Sequence, residues 1–443
     1  MLTRLFWLAV VTIARSASAS NLAGETEHPA SEDRSYLAYV VAGDGQFLAT
    51  LALGTPPSPF TAILDTGSTL LWRQCLPCQL CYPQSPLPTP YQCALQYDNK
   101  KLRSHQHKLT THCNNSEIIV IFDPSQSCSY STASCSDPAC VSYPGSCSSD
   151  NGSCTYDIVY IAPLAYTRGV LSYDTLSLFC LSHPLHKQLV SIPQFAFGCS
   201  HSSKAPYNFV GAGGIVGLGR GPLSLPSQLN VTSFAYCLGS IHDTRSRTPL
   251  VLGAAARRLG WSAAAGTQSI QFIDAIDYAY VVEIQAISVG DRQLDVTSSS
   301  LGLNLTGLSA SHYATAGIVF DSGTTFTHLP TPAFSALYSA FSNALSAPLA
   351  SAHPRNLSLC YQSYPVAVPS LSFHFYGGAS MHLPIANYII SIEGVFCLAF
   401  MESPDDLAIL GNVQQQNYHV LYDLETNTIS FKPAHCRSLQ NPF

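Results

Sequence analysis

The stretch "TAILDTGSTLLW", residues 61–72, sets an aspartate directly behind an apolar run and follows it with hydroxyl, glycine and hydroxyl before apolar residues resume. A strand buried in a sheet favours Val, Ile, Leu and Phe, and a carboxylate among them destabilises unless its charge is satisfied. A second copy gives the pattern its meaning. "GIVFDSGTTFTHL", residues 317–329, repeats it: three apolar residues, Asp321, hydroxyl, glycine, hydroxyl, hydroxyl, apolar. Each copy is followed later in the chain by an apolar-apolar-Gly segment, "GGIVGLGRG" at 213–221 and "LAILGNV" at 407–413. Two lobes of like design, each with one aspartate loop and one later strand ending in Gly, would bring Asp65 and Asp321 together at a pseudo-symmetric interface.

The bulk numbers fit two lobes. A chain of 443 residues exceeds one ordinary core. Apolar residues make up 47% and charged ones 10%, with a net charge of -6 and no basic stripe, which argues against a nucleic-acid partner. The 29 prolines and 28 glycines separate short apolar runs with no long helical repeat, the pattern of a mostly β protein with many turns. Strand-like alternation starts near "QFLATLALGTPPSPF", and "YAYVVEIQAISVG" at 278–290 reads as the opening of the second lobe after a connector "GAAARRLGWSAAAGT". The expected organisation is a signal peptide over 1–19, a short propeptide or linker over 20–44, a first lobe over 45–240 and a second over 276–437.

Residues 1–20, "MLTRLFWLAVVTIARSASAS", have a basic Arg4, an apolar stretch and a small-residue exit, the form of a secretory signal. Sixteen cysteines then read as disulfides of an oxidising compartment. This holds for "CLPCQLC" too, whose spacing would otherwise suit zinc or iron-sulfur ligation. Sequons at Asn114, Asn151, Asn230, Asn304 and Asn356 predict surface glycosylation. The polar end "CRSLQNPF" carries no lipid-anchor tail, so the expectation is a secreted or vacuolar monomer without a membrane anchor. "GLGRG" lacks the features of a phosphate loop, and no Gly-x-Ser-x-Gly elbow supports a serine hydrolase.

Two carboxylates held ~3 Å apart share one proton, because like charges raise one of the two pKa values. Such a pair can polarise a water, one carboxylate accepting its proton while the other donates to a peptide carbonyl, with no cofactor and no metal. Gly67 and Gly323 would allow the tight turn and close approach of the loops. Thr66 and Ser322 could bond across the interface, and Ser68 and Thr324 could donate to the carboxylates.

"DTGST" and "DSGTT", with "IVG" and "ILG" behind them, resemble the two active-site segments of the pepsin-like aspartic proteases. The series "WRQCLPCQLCYPQ", "IFDPSQSCSY", "FAFGCS", "GIVGLGRGPLSLPSQL", "FAYCL", "DSGTTFTHLP" and "LGNVQQQNYHVLYDL" is similar to their nepenthesin-like plant branch, from about residue 45 to 437. The resemblance implies an all-β, bilobal pepsin-like fold with pseudo-two-fold related lobes and a central cleft, peptide-bond hydrolysis on polypeptide substrates, and Asp65 and Asp321 as the catalytic dyad. It implies that Trp72 supports a flap whose tyrosine is Tyr160, with Tyr166 as a rival and core packing as the alternative for both aromatics. It pairs Cys360 with Cys397 and Cys237 with Cys436, leaves the first-lobe connectivity open, and marks Cys93, Cys113, Cys128 and Cys180 as additions to the family's usual set.

The chain departs from the family in two places: its flap reads "YIAPLAYTRG" without the family's glycines, and residues 86–120 are an insertion. The same fold also serves secreted inhibitors and receptor-like glycoproteins, the competing function for this chain.

Overall fold

The computed structural model describes residues 34–84, 121–142, 146–148, 152–160, 165–183, 186–204, 211–258, 266–276, 278–297, 300–304, 316–403 and 407–439. The expected signal peptide, most of the expected linker and residues 86–120, the expected insertion, lie outside the described residues. The chain folds as an all-β protein of two halves, which meet in one antiparallel sheet. Its strands run, in spatial order, Ser35–Ala42, Arg247–Gly253, Ser233–Cys237, Tyr418–Asp423, Thr428–Pro433 and Gln268–Ile273. Three strands come from each half, and the seam is the pair Ser233–Cys237 against Tyr418–Asp423, with Ala235 opposite Leu421. The arrangement has a local two-fold relation about that seam.

The sheet recruits segments expected to lie outside both lobes. Ser35–Ala42 falls within the stretch assigned to a linker, yet "SYLAYVVA" is buried along most of its length and pairs residue by residue from Ser35 opposite Gly253 to Val41 opposite Arg247. Apolar residues on both faces predict a strand covered on both sides, and the covers are a main core above and a smaller cluster of Leu37, Ala235, Val251, Ala256 and Leu421 below. The expected connector likewise supplies the short helix Ala254–Arg258 against this lower face, and Gln268–Ile273, short of the expected second-lobe start, pairs with Thr428–Pro433 and onward, through Phe272 and Ile273, with Val281–Val289.

Above the seam stands a cluster of aromatics. Phe234 stacks on Tyr422 with ring centroids 4.5 Å apart, Tyr280 lies 4.5 Å from Tyr422 and meets Phe234 edge-on at 6.0 Å, and Phe272 meets Tyr280 edge-on. The Tyr236 and Tyr422 hydroxyls are 3.0 Å apart, and Tyr236 donates to Gln415, which donates in turn to the Leu410 carbonyl at 2.8 Å. A buried tyrosine needs such a partner, and this one runs to the end of the strand beside Asp321.

Candidate active site

Both aspartates end a buried strand that lies parallel to the later apolar-apolar-Gly strand. Ser58–Asp65 pairs with Gly214–Gly217 from Ala62 opposite Gly214 to Asp65 opposite Gly217, and Ala316–Phe320 pairs with Ala408–Leu410 from Ile318 opposite Ala408 to Phe320 opposite Leu410. The glycine that closes each later strand is required by crowding. A Cβ on Gly411 would lie 2.6 Å from the Phe326 backbone, and one on Gly217 would run into Thr69, because the outgoing arm of each aspartate loop crosses there. The loops are then tied down by backbone bonds, Gly219 N to Ser68 O at 2.8 Å in the first half and Asn412 N to Thr324 O at 2.7 Å in the second.

The two carboxylates have matching surroundings. Asp65 Oδ1 accepts from the Gly67 amide at 2.9 Å and Oδ2 from the Ser68 hydroxyl. Asp321 Oδ1 accepts from the Gly323 amide at 2.7 Å and Oδ2 from the Thr324 hydroxyl at 2.6 Å. A Cβ on Gly67 would fall 2.8 Å from the Asp321 carboxyl carbon, and one on Gly323 would strike the Asp65 carboxyl, so each glycine admits the opposite aspartate. Both carboxyls are at least nine-tenths buried. Burial, then the neighbouring Asp321 charge, hold the Asp65 carboxyl well above its ordinary range, against the opposing pull of the Ser68 hydroxyl and the Gly67 amide.

Behind the carboxyls the loops exchange hydrogen bonds crosswise. Thr66 Oγ1 donates to the Phe320 carbonyl at 2.9 Å and accepts from the Ser322 amide at 2.9 Å; Ser322 Oγ donates to the Leu64 carbonyl at 2.7 Å and accepts from the Thr66 amide at 3.1 Å. Both side chains are fully buried, so each hydroxyl uses its one proton and a lone pair on the other half of the molecule.

Trp72 follows Asp65 on the short strand Trp72–Gln74 and is buried in a side cluster with Ile63, Tyr156 and Ile215. Its indole Nε1 donates to the Tyr160 hydroxyl at 2.7 Å. Tyr160 stands at the tip of the hairpin formed by Cys154–Val159 and Tyr166–His183, with its amide bonded to Ala165 O at 3.0 Å. Tyr166 occupies the opposite arm, where the Arg168 guanidinium lies over its ring at 4.5 Å. The structure thus joins Trp72 to Tyr160, while residues 161–164, including Pro163, lie outside the described residues.

Disulfides join Cys237 to Cys436 and Cys360 to Cys397. In the first half Cys75 pairs with Cys199, Cys78 with Cys81, Cys135 with Cys147 and Cys140 with Cys154, so all three sulfurs of "CLPCQLC" are in disulfides. Of the four added cysteines, Cys128 and Cys180 are unpaired, and Cys93 and Cys113 lie outside the described residues. Asn230 and Asn356 are exposed, Asn304 is placed by its backbone in the strand Leu303–Asn304, and Asn114 and Asn151 lie outside the described residues. No helix among the described residues is long and apolar enough to cross a membrane.

Sequence reasoning passed over three residues that touch the Asp321 loop. Gln46, Thr325 and Asn412 are all buried and bond one another across the halves. Thr325 is the last hydroxyl of the repeated "DSGTT", whereas the only trace of Gln46 and Asn412 is polarity inside strongly apolar surroundings, "DGQFLATL" and "AILGNV".

The family described as Xylanase inhibitor N-terminal matches residues 47–119 and 110–254, and the one described as Xylanase inhibitor C-terminal matches residues 279–433. Aspartic proteinase nepenthesin-1 of Nepenthes gracilis is 36% identical over 406 residues, which is 90% of this chain and 79% of its own length. Nepenthesin-2 of the same plant is 35% identical over 403 residues with the same coverage, 90% and 79%. Among solved structures, Basic 7S globulin from soybean is similar with a TM-score of 0.66 at 19% identity, covering 92% of this chain and 98% of that one. Conglutin gamma from lupine seeds is similar with a TM-score of 0.65 at 18% identity, covering 90% and 94%. These last two likenesses concern the fold.

Proposed function

The chain belongs to the nepenthesin-like plant branch of the pepsin-like aspartic proteases, and on that premise we propose that it is an endopeptidase whose catalytic groups are Asp65 and Asp321. The observation that carries this reading is the matched pair of carboxyls, each held by a backbone amide and a hydroxyl and drawn together by the crossed Thr66 and Ser322 bonds. Burial, then the neighbouring charge, hold the Asp65 carboxyl above its ordinary range, which favours its keeping a proton in acid. A water between the carboxyls gives a proton to the ionised one as its oxygen attacks the scissile carbonyl carbon. The protonated carboxyl gives its proton to the carbonyl oxygen. The resulting diol collapses with proton transfer to the leaving nitrogen, which breaks the C–N bond and restores the shared proton.

In this reading Trp72 holds the hydroxyl of Tyr160, and the hairpin closes over an extended polypeptide substrate. The six disulfides among the described residues support synthesis into an oxidising compartment, with residues 1–19 as the leader and secretion or the vacuole as the destination.

A competing function, binding another enzyme without cleaving peptide, draws on the inhibitor description of the matching family. The complete hydrogen-bond set around both carboxyls argues for hydrolysis. The deciding experiment compares cleavage of a denatured protein substrate between about pH 3 and 6 by the unmodified protein, Asp65→Asn and Asp321→Asn. Loss of at least about a thousandfold in kcat in either variant is expected for a step that uses both groups together. Equal, background-level cleavage by all three proteins would replace the protease reading with the binding one.

A further inference from the structure

The two aspartate loops are gripped differently by the opposite half of the molecule. Beside Asp65, the second half holds the loop region through Arg220 N to the Tyr278 carbonyl at 3.0 Å and through the Tyr280 hydroxyl to the Leu218 carbonyl at 2.8 Å. Beside Asp321, the grip is made of side chains. Gln46 Nε2 donates to Thr325 Oγ1 at 3.0 Å, and Thr325 Oγ1 donates to the Gly45 carbonyl at 2.8 Å. Asn412 Nδ2 reaches the Gly45 carbonyl at 3.3 Å, Gln46 Oε1 at 3.5 Å and the Ser322 carbonyl at 3.2 Å.

Gln46, Thr325, Asn412 and Ser322 are all buried, so water cannot substitute for a lost partner without opening the interface. Gly45 is at φ 85°, and its carbonyl receives two bonds from the other half. The turn at 43–46 is further clasped from outside by the Asp44 to Arg355 ion pair. Asp321 therefore sits on a loop anchored from the first half at both ends, at Ser322 through Thr66 and at Thr325 through Gln46.

We propose that Gln46, Thr325 and Asn412 are positioning residues that set the separation of the two carboxyls by fixing the far end of the Asp321 loop to the first half. The inference rests on the endopeptidase reading above. These residues carry no charge themselves. The titratable groups around them are Asp65 and Asp321, the Asp44 and Arg355 pair on the turn, half-buried His328 on the strand Thr327–Pro330, and Tyr236 and Tyr422 beneath.

A slackened loop moves the carboxyls apart and weakens the repulsion that keeps the shared proton bound as pH rises. The alkaline limb of the kcat profile then moves to lower pH. Misplacement of one reacting group by about 1 Å lowers turnover up to roughly a hundredfold.

The test uses the full chain with Thr325→Val, which keeps the volume and removes the hydroxyl, Thr325→Ser, which keeps the hydroxyl, and Gln46→Leu as an independent break. Expected are a kcat about tenfold or more lower in Thr325→Val and Gln46→Leu with KM within about twofold, an alkaline limb at lower pH in both, and recovery of kcat and limb in Thr325→Ser. Unchanged kcat and limb in either breaking variant, beside an active unmodified protein, overturns the inference. So does Thr325→Ser failing as Thr325→Val does, since packing would then be the cause. If Thr325→Val does not fold, Gln46→Leu alone decides. An unmodified protein that cleaves nothing sinks the endopeptidase reading, and this inference with it.

Discussion

Asp65 carries a cost that depends on pH. Burial and the Asp321 charge raise its folded pKa above the unfolded value of about 3.9. The folded state thus keeps a proton that the unfolded chain has lost, which contributes stability that is fully present below about pH 4 and is lost as pH rises through the folded pKa. Asn at this position cannot ionise. Asp65→Asn is therefore expected to melt higher than the unmodified protein at neutral pH, with the difference shrinking as pH falls through the folded pKa and gone by about pH 4. Thermal melts of the two proteins across pH read this directly, and because His419, pulled down to about 4 by burial, pushes the other way in both proteins, the difference between them isolates Asp65. A difference independent of pH would contradict the assignment of the raised carboxyl. The aspartates were legible in the sequence because each interrupts an apolar run and the interruption occurs twice. Gln46 and Asn412 were not, since a bond across 366 positions leaves no spacing or period to read.

At the scale of elements, the hairpin that carries Tyr160 tests how far a departure from a family pattern matters. Its tip lost the glycines that would mark a turn, so the sequence left Tyr160 and Tyr166 as rivals. Strand register separates them. Val159 opposes Tyr166, which leaves Tyr160 just beyond the paired arm and within reach of the Trp72 indole. That contact is a neutral hydrogen bond between partly buried groups, worth about 1 kcal/mol, or roughly fivefold in kcat/KM. Trp72→Phe and Tyr160→Phe are each expected to lower kcat/KM by about that factor, and the double variant by no more than either alone, because both remove the same bond. Tyr166→Phe should leave kcat/KM unchanged. Full additivity in the double variant would mean that the two aromatics act separately.

Across the whole molecule, the internal repeat predicted two lobes but not what joins them. The joining sheet uses Ser35–Ala42, Arg247–Gly253 and Gln268–Ile273, short strands at the margins of the repeat, where neither copy has a motif to announce them. Its seam strand Ser233–Cys237 ends in a cysteine bonded to Cys436, so one disulfide ties the seam to the chain's last described turn. That loop spans 199 positions, whereas Cys78 and Cys81 close one of 3. In the chain-entropy account the long closure restricts the unfolded state by about 5 kcal/mol and the short one by about 2 kcal/mol. Replacing both cysteines of the long bridge by alanine should therefore lower the denaturant midpoint clearly more than replacing Cys78 and Cys81. On the endopeptidase reading it should also reduce proteolysis at temperatures where the short-bridge variant is unaffected, because the aromatic cluster of Phe234, Tyr280 and Tyr422 stands on the seam that the long bridge closes. Equal midpoints in the two variants would show that the seam is held by its strand pairing, and that the bridge adds nothing to the platform on which Asp321 rests.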